Sequence, residues 1–421
     1  MLSSGARADF YDLRYYAQLK PQAGVAEVVI KVEQAASELR EISMQAAPDR
    51  YADFAGDGVV KRDDDQVTWA VPEEGGELRY LVKINASRNN GGYDSKMTDS
   101  FALLRFEDLF PPIGSRTKAG ANSKATLRLD IPQEWSLESR YGPNLAKPVF
   151  VKTTGRRLDR PTGWLLAGVL GVRRSKIGEH EFIVAAPAGS KYPRIPMISF
   201  LRWTVPSFTD AIPQLAKRVL IVSGDDSMWR GALSGPGSLY IHPDRPLISE
   251  NATSTLLHEL VHLATRWQAA RGDDWIVEGL AEFYGLEILR RSDGISEKRY
   301  ESSLEKLSSW AQRDNGRLKH PSKGANTAAA VLMFVKLDEE IKQVHPKGID
   351  RVVRELLRSK SKNKNKKQAP RVVTTISRKK LVRAVEKVLG RESQVLTAAL
   401  ATLRPKKAKK ANTKKPAVKK G

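Results

Sequence analysis

The sequence predicts an α+β chain: an all-β, sandwich-like amino-terminal part, a mixed middle segment, and a helical carboxy-terminal part that ends in a disordered basic tail. Three observations carry this expectation. Up to about residue 135, short β-branched runs with partial alternation are separated by turn signals. Beyond residue 297, apolar residues recur at helical spacing. Between the two, a glycine-rich turn leads into an amphipathic helix that carries two histidines.

The elements follow in order. VAEVVIKVE at 25–33, RYLVKINA at 79–86 and ATLRLDIP at 125–132 read as strands, with turns at Asp57-Gly58, Gly75-Gly76 and Asn90-Gly91-Gly92. That spacing suggests a β-sandwich whose expected task is to pack on the rest of the chain and wall one side of a cleft. EFIVAAP continues the β character to residue 187, and 193–196 looks like the approach to a second unit. Three segments are expected: a β-rich 1–190, a functional unit with carboxy-terminal helices at 191–403, and a lysine-rich tail at 404–421. Inside the second, a helix is expected over 208–216 and a buried strand over 218–224, followed by a glycine-rich turn and a strand at 238–242. Later helices are expected at 300–313, 325–343, 349–359, 377–389 and 393–403, with Ser377 as a cap and Gly390 as a stop. AAAVLMFVKL in the second of these is apolar all round, so it should be a buried core helix.

Composition excludes several functions. At 421 residues and 41% hydrophobic, the chain is long enough for two or three globular domains. It has no cysteine, which rules out disulfides, thiolate metal ligands and thiol catalysis. No apolar run reaches the length of a membrane span, and the first ten residues lack a hydrophobic signal core. As written the chain reads as soluble and cytoplasmic, but an exported form with a missing signal leaves the compartment open. The net charge of +23 is concentrated at the end. Residues 358–421 hold 22 basic and two acidic residues, a net of +20, so the preceding part is near +3. Lysines at 360–367 and 404–421 could hold polyanions or an anionic membrane surface weakly and in a salt-dependent way. No aromatic interleaves them and arginine is scarce, unlike the pattern that sequence-specific nucleic-acid binding uses.

The chemistry lies in TLLHELVHLATRWQAARGDDWIVEGLAEFYG. His258 and His262 are four apart, so on a helix both imidazoles reach one ion. Glu259, beside the first histidine, is placed to take a proton from metal-bound water. A third ligand must come from the next helix, where Glu278 and Glu282 both qualify.

HELVH followed by WIVEGLAEFYG resembles the active site of the gluzincin metallopeptidases, which implies Glu278 as the third ligand of one zinc ion and Glu282 as the carboxylate that orients a zinc histidine. The layout most resembles the glycyl aminopeptidase family, more distantly aminopeptidase N and thermolysin. That likeness implies a thermolysin-like catalytic domain, a helix beginning at Lys323-Gly324-Ala325, and peptide or protein substrates. It further implies that the segment before the zinc helix is an edge strand binding substrate backbone, which selects Gly235, Gly237, Ser238, Leu239 and Tyr240.

Two departures stand out. No glutamate occurs between Gly224 and Leu247, where aminopeptidases of this group keep one for the substrate amine, so endopeptidase action stays open. No tyrosine precedes the Lys323-Gly324 pair, so His320, and second Tyr300, are the candidates for steadying the oxyanion. His180, His242 and His345 have no comparable context and read as structural. The resulting expectation is a zinc peptidase active near neutral pH, with Glu259 as base and then acid. Its rivals are an inactive gluzincin-like scaffold and a polyanion-binding protein acting through its tail.

Overall fold

Alternation builds the first sheet. In Phe10–Lys20 every second side chain, from Tyr11 through Leu13, Tyr15 and Ala17 to Leu19, is buried. The strand sits between Val25–Glu33, antiparallel, and Asn122–Asp130, parallel. The structure, a computed structural model, describes residues 10–403 other than 90, 153–157, 314, 319 and 359–373. The lysine runs expected at 360–367 and 404–421 therefore lie outside the described residues.

Among the described residues, the amino-terminal part forms a six-stranded, a five-stranded and a four-stranded sheet. The five-stranded one explains how this part meets the rest. Its paired strands Phe101–Arg105 and Trp164–Gly168 are buried on both faces. Ala102, Leu104, Leu165 and Ala167 face the amino-terminal core, while Phe101, Leu103, Trp164 and Leu166 pack with Ile183, Leu220, Met228 and Tyr240 of the following half. A strand that buries both faces loses its polar alternation, as WLLAG and FALLR show.

The second half centres on a mixed sheet ordered Leu170–Ile177, His180–Pro187, Arg218–Val222, Ser238–Ile241, Ala232–Gly235. This shifts the boundary expected at residue 190. The hairpin 170–187 pairs with Arg218–Val222 rather than with any amino-terminal strand, and the main carboxy-terminal core begins at Ile177. Alternation reports that a segment is a strand but not which sheet it joins. The helix expected at 208–216 is Arg194–Ala211 instead. Prolines 193 and 196 resemble a linker, yet the first turn of a helix needs no amide donors there and tolerates them.

Among the described residues, the further helices of the second half are Thr255–Thr265, Asp274–Arg291, Glu297–Gln312, Ala325–Lys342, Ile349–Leu357, Arg378–Leu389 and Gln394–Ala401. Ser254, Ser296, Ser377 and Ser393 each cap a helix by accepting a backbone N–H. Ala325–Lys342 is largely buried, with Ala328–Val331, Met333, Phe334 and Leu337 in the core. Among the described residues, no helix is long and apolar enough to cross a membrane.

Candidate metal centre

Thr255–Thr265, here the histidine helix, buries Leu256, Leu257, Leu260, Val261 and Leu263. That fixes its rotation and leaves His258 and His262 on the face toward the next helix. It ends at Arg266, whose φ of 51° turns the chain into strand Trp267–Ala269. This strand pairs with Thr374–Ile376. Asp274–Arg291, the glutamate helix, follows at once, held at its start by Asp273, whose carboxylate accepts from Arg378 Nε at 2.7 Å and Arg378 N at 2.9 Å.

The residue after Glu278 is glycine for a packing reason. A Cβ on Gly279 would stand 2.6 Å from Ala330 Cβ and 3.1 Å from the Phe334 ring on the buried helix Ala325–Lys342. Gly279→Val should therefore cost about 1–3 kcal/mol through overpacking, read as a lower denaturant midpoint.

Three donors converge. His258 Nε2 and His262 Nε2 are 3.0 Å apart, and Glu278 Oε2 lies 3.6 Å from the first and 3.7 Å from the second. Tetrahedral coordination with bonds of about 2.0–2.1 Å separates ligand atoms by about 3.3 Å, so this spacing fits a zinc-sized ion. Among the described residues, this is the one group of three or more such side chains able to share an ion. The other nitrogen of His258, Nδ1, is 2.9 Å from Glu282 Oε2. Four residues apart on one helix face, Glu278 and Glu282 thus serve opposite nitrogens of one ring, an arrangement that would hold Nε2 toward an ion.

The electrostatics agree with that fit. Burial opposes a charge on His258, but the Glu278 and Glu282 carboxylates outweigh it and raise the group to about 10. Burial likewise pushes Glu278 up, and the two histidines hold it well below the usual carboxylate range. The cluster favours positive charge at its centre. Glu282→Gln is expected to weaken zinc binding about 10- to 100-fold in a chelator competition, because the ring exchanges a charged carboxylate for a weaker, neutral acceptor.

Glu259 is buried and its Oε2 accepts from Ser234 N at 2.7 Å. It lines a cleft of about 480 Å³ with Leu233–Pro236, His258, His262, Arg266, Trp267 and Glu278. The cleft corrects the expected substrate-binding set. Gly235 does lie on the edge strand Ala232–Gly235, but Gly237, with φ of 66°, is in the turn beyond it. Ser238, Leu239 and Tyr240 are buried in a strand paired on both sides, so their main chain has no free edge to offer a peptide. The true edge comes one strand earlier, because the turn at 236–237 folds the segment back.

Neither oxyanion candidate lines the cleft. His320 is exposed and its Nδ1 lies 3.0 Å from Asp274 at the start of the glutamate helix. Tyr300 packs under Arg290, twelve residues or about 18 Å along that helix from Glu278. The sequence had no means to place either, since a histidine or tyrosine carries no periodic signal of its own. Ser234, acting through its main chain, leaves no side-chain trace at all. Arg266, which ends the histidine helix in a left-handed conformation, also lines the cleft.

No family model matches the chain, and no curated protein does. Its backbone is similar to that of an aminopeptidase N family protein from Idiomarina loihiensis, with a TM-score of 0.62 at 13% identity, over 82% of this chain and 70% of that one. At that identity the likeness is one of fold. β-sheets in the amino-terminal part and helices in the carboxy-terminal part give the chain an α+β architecture resembling the aminopeptidase N fold.

Proposed function

We propose that this chain is a zinc-dependent peptidase, a hydrolase of peptide bonds of the gluzincin kind. The observation that carries the reading is the convergence of His258, His262 and Glu278 within a cleft that Glu259 and an exposed strand edge also line. The aminopeptidase N fold likeness supports it. His258, His262 and Glu278 would hold the ion, which when bound supplies Lewis acidity to a carbonyl and to water. Glu282 keeps the His258 ring in the orientation that presents Nε2. Glu259 takes the proton from the attacking water and returns it to the leaving amine. The edge strand Ala232–Gly235 offers main-chain groups to an extended substrate, independent of side-chain identity.

The cleft bears on where the bond lies within a substrate. Its acidic lining residues among those described are Glu259 and Glu278, and both already have tasks. A substrate's free amine would find no additional carboxylate there, which favours cleavage inside a chain over removal of the first residue.

Zinc analysis combined with mass-spectrometric profiling of a mixed peptide library tests the proposal. Expected are one zinc ion per chain, internal cleavage that a chelator abolishes, and recovery on adding zinc. Cleavage indifferent to chelator would overturn the proposal. Absence of cleavage with zinc bound would support the scaffold reading, which draws on Tyr300 and His320 not being among the residues that line the cleft.

A further inference from the structure

The edge strand reaches into the machinery as well as walling it. Ser234 faces Leu239 in the antiparallel pair with Ser238–Ile241, two residues along from Ala232 opposite Ile241. Just beyond that end, His242 N donates to Gly231 O at 2.9 Å, so hydrogen-bonded pairs fall at the odd-numbered positions of the edge strand. The Ser234 amide therefore points away from the sheet, and its acceptor is Glu259 Oε2 at 2.7 Å. The next residue of the same orientation is Pro236, which has no amide hydrogen.

The frame behind this donor is rigid. Trp164, buried in the amino-terminal half, donates from Nε1 to Leu233 O at 2.9 Å and from its main chain to Ser238 Oγ at 2.8 Å. Any Cβ on Gly163 would lie 2.8 Å from Pro236 O, so the two chains are already in contact. These contacts tie the strand to the amino-terminal half.

We infer that the backbone amide of Ser234 is a positioning group for Glu259, holding one carboxylate oxygen so that the plane of the group is set and its second oxygen is left for proton transfer. The inference rests on the peptidase reading, since it assigns a partner to that reading's base. A charge-assisted bond from a fixed amide requires no reorganisation during turnover. The Ser234 hydroxyl has no part in it.

Ser234→Pro deletes the donor at an edge position whose amide the sheet does not use, and Ser234→Ala keeps it. The probe is the library peptide that the wild-type, zinc-loaded full chain cleaves fastest. Relative to Ser234→Ala, Ser234→Pro should lose about 10- to 100-fold in kcat at unchanged KM and full zinc content. Equal kcat in the two variants would overturn the inference, as would a loss in Ser234→Pro that appears wholly in KM. If Ser234→Pro sheds zinc or melts early, replacing the 233–234 amide by an ester decides by the same criterion, because it removes the hydrogen without a ring. Failure of the peptidase reading looks different: the wild type then cleaves nothing, or Glu259→Gln remains fully active.

Discussion

Glu259→Gln is expected to lower kcat about 100- to 10,000-fold while one zinc ion stays bound. The substitution keeps size and shape, and its amide oxygen can still accept from Ser234 N, so the cleft should not rearrange. What disappears is the group that takes up and returns a proton. Glu259 is not among the three converging donors, and its carboxylate is engaged by the edge strand instead. Zinc content and melting temperature should therefore match wild type while turnover collapses. Near-full turnover in this variant would remove Glu259 from its assigned role.

The second large effect is expected at Glu278. Glu278→Ala should lower zinc affinity by more than the about 10- to 100-fold expected of Glu282→Gln, because it deletes a donor rather than the support of one. The two histidines remain at 3.0 Å, but two neutral imidazoles alone leave the ion short of both charge and a ligand. Zinc that binds only the folded chain raises its melting temperature by mass action. Wild type should show that rise and Glu278→Ala should largely lose it, measured by thermal unfolding with and without zinc. A Glu278→Ala protein that still gains stability from zinc would exclude this carboxylate as a ligand.

Much of the centre was legible because helix periodicity is local. A spacing of four between His258 and His262, and again between Glu278 and Glu282, fixes relative direction on each helix without reference to the rest of the molecule. Caps were legible for the same reason: Ser377 and Gly390 act on main-chain groups within a few residues. The edge strand was not, because the assignment of Ser238, Leu239 and Tyr240 depended on where one turn at Gly237 folds the chain. Nor was the membership of the hairpin 170–187, whose alternation suits either half. Tyr300 and His320 were chosen for chemistry and proximity in sequence, and neither criterion measures distance across a helix bundle.

By itself, then, the sequence determined which side chains share a helix face, where some helices are capped, and that histidine and carboxylate are the available donors in a chain without cysteine. Only the tertiary structure decided that the two helix faces meet, which strand is the edge, and that a main-chain amide from that edge reaches Glu259. The physical reason is range. Helical geometry and capping are set by bonds a few residues apart, whereas the meeting of faces depends on burial of apolar surface contributed by segments far apart in the chain.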